Sequence, residues 1–281
     1  MAIALSLIAA VLYGAADFIG GLASRKTATV IVVIFSQLAG FFVLLAIVPF
    51  LGGRPLVVDL WWGVLGGAFG AVGIVLLYRA LAIGRMGIVS PVTAVIAATI
   101  PVFFGITIGE RPSTSAWFGI GLAVVAVILI SAHDPTKERN RRASLGMPLG
   151  VPTAILSGIT LGFFFIVLAK VQPISGLYPL LSARIASVLA LTVVALSQRI
   201  PLRTTSAALP AIVFSGALDV GANALYVIAA HNGLIAIAAV LTSLYPASTV
   251  ALAAIVLHER LARIQWIGVA LALMGVVLVA R

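Results

Sequence analysis

A chain of 281 residues that is 63% hydrophobic and only 9% charged lies far from the soluble balance of roughly 45–50% apolar and ~25% charged, and reads as a bilayer protein. Its net charge of +10 is scattered in ones and twos at the ends of apolar runs, which marks topology and excludes a nucleic-acid partner. There is no cysteine, and the three histidines stand apart at 133, 231 and 258, so no disulfide, metal site or redox cofactor is expected.

Spanning ~30 Å of hydrocarbon takes about 20 apolar residues in a helix. Apolar runs bounded by Pro, Gly and charges predict ten such spans, the first five at about 2–23, 28–50, 60–83, 86–108 and 114–132. The other five fall at about 147–170, 177–197, 207–230, 233–257 and 263–280. The first has no Lys or Arg ahead of it and reads as a retained helix rather than a cleaved leader. The third carries Gly63/Gly67 and Gly66/Gly70 at four-residue spacing, which suits close static packing. Pro91 and Pro101 in the fourth and Pro246 in the ninth predict kinks inside those spans. In the fifth, Gly119–Ile130 is apolar at consecutive positions, which a helix buries in lipid and an alternating barrel strand does not. The fold class is therefore all-α and polytopic.

Between the fifth and sixth spans lies HDPTKERNRRASLG, His133–Gly146, the single long polar stretch. It divides the chain into 1–132, a linker 133–146, and 147–281. The two parts echo one another. Glu110 and Glu259 are 149 residues apart, as are Trp117 and Trp266, while Tyr78/Tyr226 and Gly73/Gly221 are 148 apart. Five spans is an odd number, so the second half enters the membrane in the opposite sense, giving two inverted five-helix repeats.

Each half ends in an apolar run, Gly109-Glu110-Arg111 or His258-Glu259-Arg260, a polar step, Ala116-Trp117-Phe118-Gly119 or Gln265-Trp266-Ile267-Gly268, and a Gly/Ala/Val/Leu span. This pattern resembles the EamA-type repeat of the drug/metabolite transporter superfamily over the whole chain. The resemblance implies ten transmembrane helices in five-plus-five inverted repeats. It further implies a central cavity, outward movement of a metabolite, amino acid or drug-like solute, and termini on the inner side. The family commonly has a strongly basic second connection, whereas GGRPLVVDL holds only Arg54 and Asp59. Counted from the residues, twelve Lys and Arg lie in connections 1–2, 3–4, 5–6, 7–8 and 9–10, and four on the other side. The positive-inside rule then makes the twelve cytoplasmic and both termini external, opposite to the resemblance.

Of seven acidic residues, Asp17 and Asp219 fall well inside spans. A charge there costs at least ~2.5–3.5 kcal/mol, so it faces a cavity or a partner. Asp219, Asn223 and Tyr226 share one helical face, as do Tyr13 with Asp17, Arg184 with Ser187, and Thr242 with Tyr245 and Thr249. Ser36 and Gln37, Ser90 and Thr93, and Tyr78 are the first-half candidates. Solute contacts are expected from Tyr13, Asp17, Gln37, Tyr78, Ser90, Arg184, Asp219, Asn223, Tyr226 and Tyr245. Each has a structural alternative: interhelical glue for the Asp219 face, an interfacial carboxylate for Asp17, and ion-pairing to a buried Asp for Arg184. Glu110 and Glu259 read as structural residues at helix ends, and Lys170 as a snorkelling cation. Asp219 is expected to be unpaired and open to a proton or a cation.

No H-E-x-x-H, Walker, pyrophosphate or nucleophile-elbow motif is present in the sequence. The expectation is a non-enzymatic secondary transporter in the plasma (inner) membrane, an exporter with a small-molecule solute and the lipid bilayer as partners and protons as a candidate coupling ion. The alternatives are a non-transporting membrane interaction subunit and a channel-like facilitator.

Overall fold

The computed structural model describes residues 2–107, 114–131, 147–168, 170–231, 242, 244–259 and 261–279. Among them run ten α-helices: α1 (Ala2–Ala23), α2 (Thr29–Leu51), α3 (Val57–Ile83), α4 (Met86–Thr107), α5 (Thr114–Ser131), α6 (Val151–Leu168), α7 (Tyr178–Ser197), α8 (Leu209–His231), α9 (Tyr245–Val256) and α10 (Arg263–Val279). A 3-10 turn at Pro173–Ser175 precedes α7. The linker 133–146 and Glu110 lie outside the described residues.

Within the described residues, α1, α2, α3, α7 and α8 are long and apolar enough to cross a membrane. Their surroundings are inverted relative to a soluble protein. Phe50 is 86% and Val57 71% exposed, while Asp17, Gln37, Arg184, Asp219 and Asn223 are buried. Lipid solvates the apolar exterior, and polar groups that lipid cannot satisfy turn inward.

The helices pair across the chain's midpoint. Helix α1 packs on α8 and α3 on α6; α2 packs on α8 and α3 on α7; α1 packs on α9 and α4 on α6. Moving each helix of the first pair five places along the chain gives the second. The pairs α2 with α7, α4 with α9 and α5 with α10 map onto themselves. Individual contacts follow the same rule. A Cβ on Gly67 of α3 would overlap the Ala183 carbonyl of α7, and one on Gly216 of α8 would overlap the Ser36 carbonyl of α2. Gly73 lies against Leu161 and Gly221 against Leu12. Without a hydrophobic force between helices in lipid, such small-residue contacts let backbones approach and gain dispersion energy. The Gly63/Gly67 face closes on Pro179 and Ala183 of α7, whereas Gly66 and Gly70 accommodate Phe164 of α6.

Two expectations need correction. Pro246 does not kink a continuous helix: Thr242 is helical, Leu244 is a turn, and α9 starts at Tyr245 with Pro246 in its first turn. At that position the missing N–H has no partner to lose, so Pro starts a helix instead of bending one. Helix α4, by contrast, runs through both Pro91 and Pro101. Asp59 is not in a polar connection but in the first turn of α3, 1% exposed. Its Oδ2 accepts a 2.6 Å bond from Ser175 Oγ, which ties the start of α3 to the turn before α7.

Candidate functional site

The site is built where α1, α2, α7 and α8 meet. Arg184 of α7 donates from Nη1 to Gln37 Oε1 of α2 and from Nη2 to Asp219 Oδ2 of α8, forming a buried ion pair. Each side chain of that pair is 9% exposed. Gly40, three residues past Gln37 on α2, lies beneath the guanidinium, since a Cβ there would stand 3.5 Å from Arg184 Cζ. Asn223 Nδ2 donates to the Asp219 backbone carbonyl at 2.8 Å and to Oδ2 at 3.4 Å. The i, i+4 spacing expected from sequence thus acts as a local brace on Asp219.

The expectation that Asp219 is unpaired is overturned by its ion pair with Arg184. The unpaired carboxylate is Asp17 on α1. It is 7% exposed and has no hydrogen-bond or ion-pair partner among the described residues, although Asp219 lies within Coulombic range. Its position is fixed by backbone contacts on three sides of α1. Ser215 Oγ of α8 donates to the Ala16 carbonyl at 2.9 Å, Thr249 Oγ1 of α9 donates to the Gly14 carbonyl at 3.1 Å, and Gly20 abuts the Tyr78 ring of α3. Because Ser215 spends its proton on Ala16, Tyr78 must be the donor in its 3.1 Å bond with Ser215 Oγ.

Three tyrosines, Tyr13, Tyr78 and Tyr245, lie in the neighbourhood of this carboxylate. Tyr13, one turn before Asp17, packs edge-to-face on Tyr245 with ring centroids 6.3 Å apart. Tyr78 and Tyr245 are both within Coulombic range of Asp17, and Tyr226 is within range of Tyr13. Tyr13, Tyr226 and Tyr245 are half-buried, whereas Tyr78 is 1% exposed.

Nine of the ten candidate residues therefore belong to one neighbourhood. Ser90 on α4 does not join it by any hydrogen bond: its hydroxyl is wholly buried and unpartnered among the described residues, like those of Ser187 and Thr242. Lys170 is exposed at the end of α6, as a snorkelling cation would be. Glu259 is structural and more specific than expected. The left-handed His258, at φ 53°, turns the chain out of α9, and both Glu259 carboxylate oxygens accept from the start of α4. The distances are 3.2 Å from Met86 N and 3.1 Å from Gly87 N, with Arg25 Nη2 at 3.8 Å. This is a side-chain cap delivered from the other half of the chain. Spacing alone could not have found it.

The pattern of a charged, aromatic cluster inside an apolar bundle suits binding of a small solute at membrane depth. A family model described as EamA-like transporter family matches residues 1–132 and 148–281. A solved structure titled "Crystal structure of protein" matches with a TM-score of 0.61 and 13% identity, over 96% of this chain and 97% of that one, a likeness of fold. No curated protein sequence matches.

Proposed function

We propose, from the premise that this chain belongs to the EamA-like transporter family of the drug/metabolite transporter superfamily, that it is a secondary transporter exporting a small metabolite, amino acid or drug-like solute by alternating access. Members of that family are multi-pass membrane transporters, not enzymes.

The observation that carries the reading is the polar cluster of Asp17, Gln37, Arg184, Asp219 and Asn223, buried within a bundle whose exterior is apolar. Desolvating two carboxylates and a guanidinium is costly, and packing alone would be served better by apolar side chains. An interaction subunit has no use for that cost, whereas a solute site does. Residues 1–132 and 147–281 are read as inverted repeats joined by the linker 133–146. The five-place exchange of helix pairs and of the glycine contacts supports this. In such a design the two halves rock about a fixed central site. The helix start at Tyr245, which falls inside the predicted ninth span and packs on Tyr13, fits the same scheme, since broken helices in membranes gather at binding sites. The plasma membrane is the expected location, with the basic connections cytoplasmic and protons as the candidate coupling ion.

Counterflow in reconstituted vesicles tests the reading. Vesicles preloaded in turn with amino acids, nucleobases and organic cations should accumulate the labelled form of at least one class by exchange. Leak of every solute at once would point to a channel, and exchange of none to a scaffold.

A further inference from the structure

Three connections meet at one end of the bundle. Glu259, just past α9, accepts from Met86 N at 3.2 Å and Gly87 N at 3.1 Å in the first turn of α4, and Arg25, just past α1, brings Nη2 to 3.8 Å from the same carboxylate. Gly87 lets the segments close, since a Cβ there would stand 3.2 Å from Leu261 Cδ2. The opposite end lies about 35 Å away along the 23 residues of α2, where Arg54 N donates to the Ile174 carbonyl at 2.8 Å. Glu259 belongs to the second half of the chain, and Met86, Gly87 and Arg25 to the first.

This contact differs from the Arg184–Asp219 pair in what release would cost. Arg184 and Asp219 are each 9% exposed, so parting them strands charge away from water. The side chains of Arg25 and Glu259 are 32% and 13% exposed, so water at the end of the bundle takes up both charges. It also takes up the Met86 and Gly87 N–H groups, which as first-turn donors have no partner within α4. A contact that water can replace, made between two halves that rock, is one that opens and closes.

We infer that Glu259 is a latch that shuts the site toward the face of the basic connections, and that opening to that face requires its carboxylate to leave the start of α4. This rests on the carrier reading above and deepens it by naming a contact that alternates. Helix α9 runs from the site to the latch, twelve residues and about 18 Å long. At its start Tyr245 packs on Tyr13, and Ser248 Oγ and Thr249 Oγ1 donate to the Ala10 and Gly14 carbonyls of α1 at 3.2 and 3.1 Å. The two helices run side by side in the same direction, and both end at the latch, in Arg25 and Glu259. Movement of that pair at the site therefore changes how Glu259 sits on α4. Glu259 is a positioning residue and touches no solute.

The test uses the full cysteine-free chain carrying Tyr226→Cys at the site, in sealed vesicles of either orientation, with an impermeant maleimide as the probe. A separate chain with Lys26→Cys, exposed on the α1–α2 connection, identifies which vesicles present the basic face. Glu259→Gln keeps the shape but gives up the charge and one of the two amide bonds. It should speed labelling from the basic face roughly fivefold, about the weight of one net hydrogen bond, and slow it from the opposite face. Gly87→Val, a wedge against Leu261 that leaves every charge in place, should shift the ratio of the two rates the same way. Both variants are melted alongside, because a merely structural cap would lower thermal stability and leave that ratio unchanged. An unchanged ratio in either folded variant overturns the inference; if Glu259→Gln does not fold, Gly87→Val decides alone. Labelling of Tyr226→Cys from one face only in the otherwise unaltered chain would overturn the carrier reading, and the latch with it.

Discussion

Arg184→Ala is expected to be among the most destabilising single substitutions in the chain. The guanidinium holds Gln37 and Asp219 at once, and both members of the ion pair are 9% exposed, so solvent cannot take over when one is removed. Breaking a buried pair from one side costs about 3–5 kcal/mol, chiefly because the remaining charge is stranded. Gln37 would lose its partner as well, adding about 1 kcal/mol. Removing both charges with Arg184→Met and Asp219→Leu strands nothing and should recover most of the loss, with a coupling of about 2 kcal/mol or more. Denaturant unfolding of the four-member cycle in micelles measures this. Single substitutions that each cost under about 1 kcal/mol and add independently would refute the reasoning.

Glu259→Ala removes the cap on α4 and should cost about 1–2 kcal/mol, read as faster amide exchange at Met86 and Gly87, the two donors it satisfies. Gly67→Ala and Gly216→Ala should each destabilise by about 1–3 kcal/mol, because the added Cβ meets a backbone carbonyl in both cases; thermal melts showing an effect in only one would argue that the two contacts are not equivalent. Reporter fusions after Arg142 should read as cytoplasmic and at Arg281 as external, following the twelve-to-four distribution of Lys and Arg; a cytoplasmic signal at Arg281 would reverse that orientation.

Helix positions were legible because lipid demands apolar runs of a set length, and α1, α5 and α10 begin and end within a residue or so of their apolar runs. The Asp219 and Asn223 face was legible because helical spacing is local. Which carboxylate meets Arg184 was not, since that depends on how α7 and α8 rotate against each other and on Gly40 clearing space for the guanidinium. Asp219, expected to be unpaired, is for this reason the paired one. Pro246 misled because hydropathy stays high across the break at Leu244, so only backbone geometry separates a kink from a helix start. Asp59 escaped because a carboxylate in a first helical turn next to a polar connection looks solvated until Ser175 is brought across from a residue 116 positions later.

The central claim is that the cluster lines a solute site that opens to either side of the membrane. The chain contains no cysteine, so Tyr226→Cys, half-buried on the Asp219 and Asn223 face, gives a label site free of background. An impermeant maleimide should modify it in right-side-out and in inside-out vesicles alike, with the vesicles remaining sealed to small ions. Protection from both sides, or reaction from one side only whatever the conditions, would contradict the account.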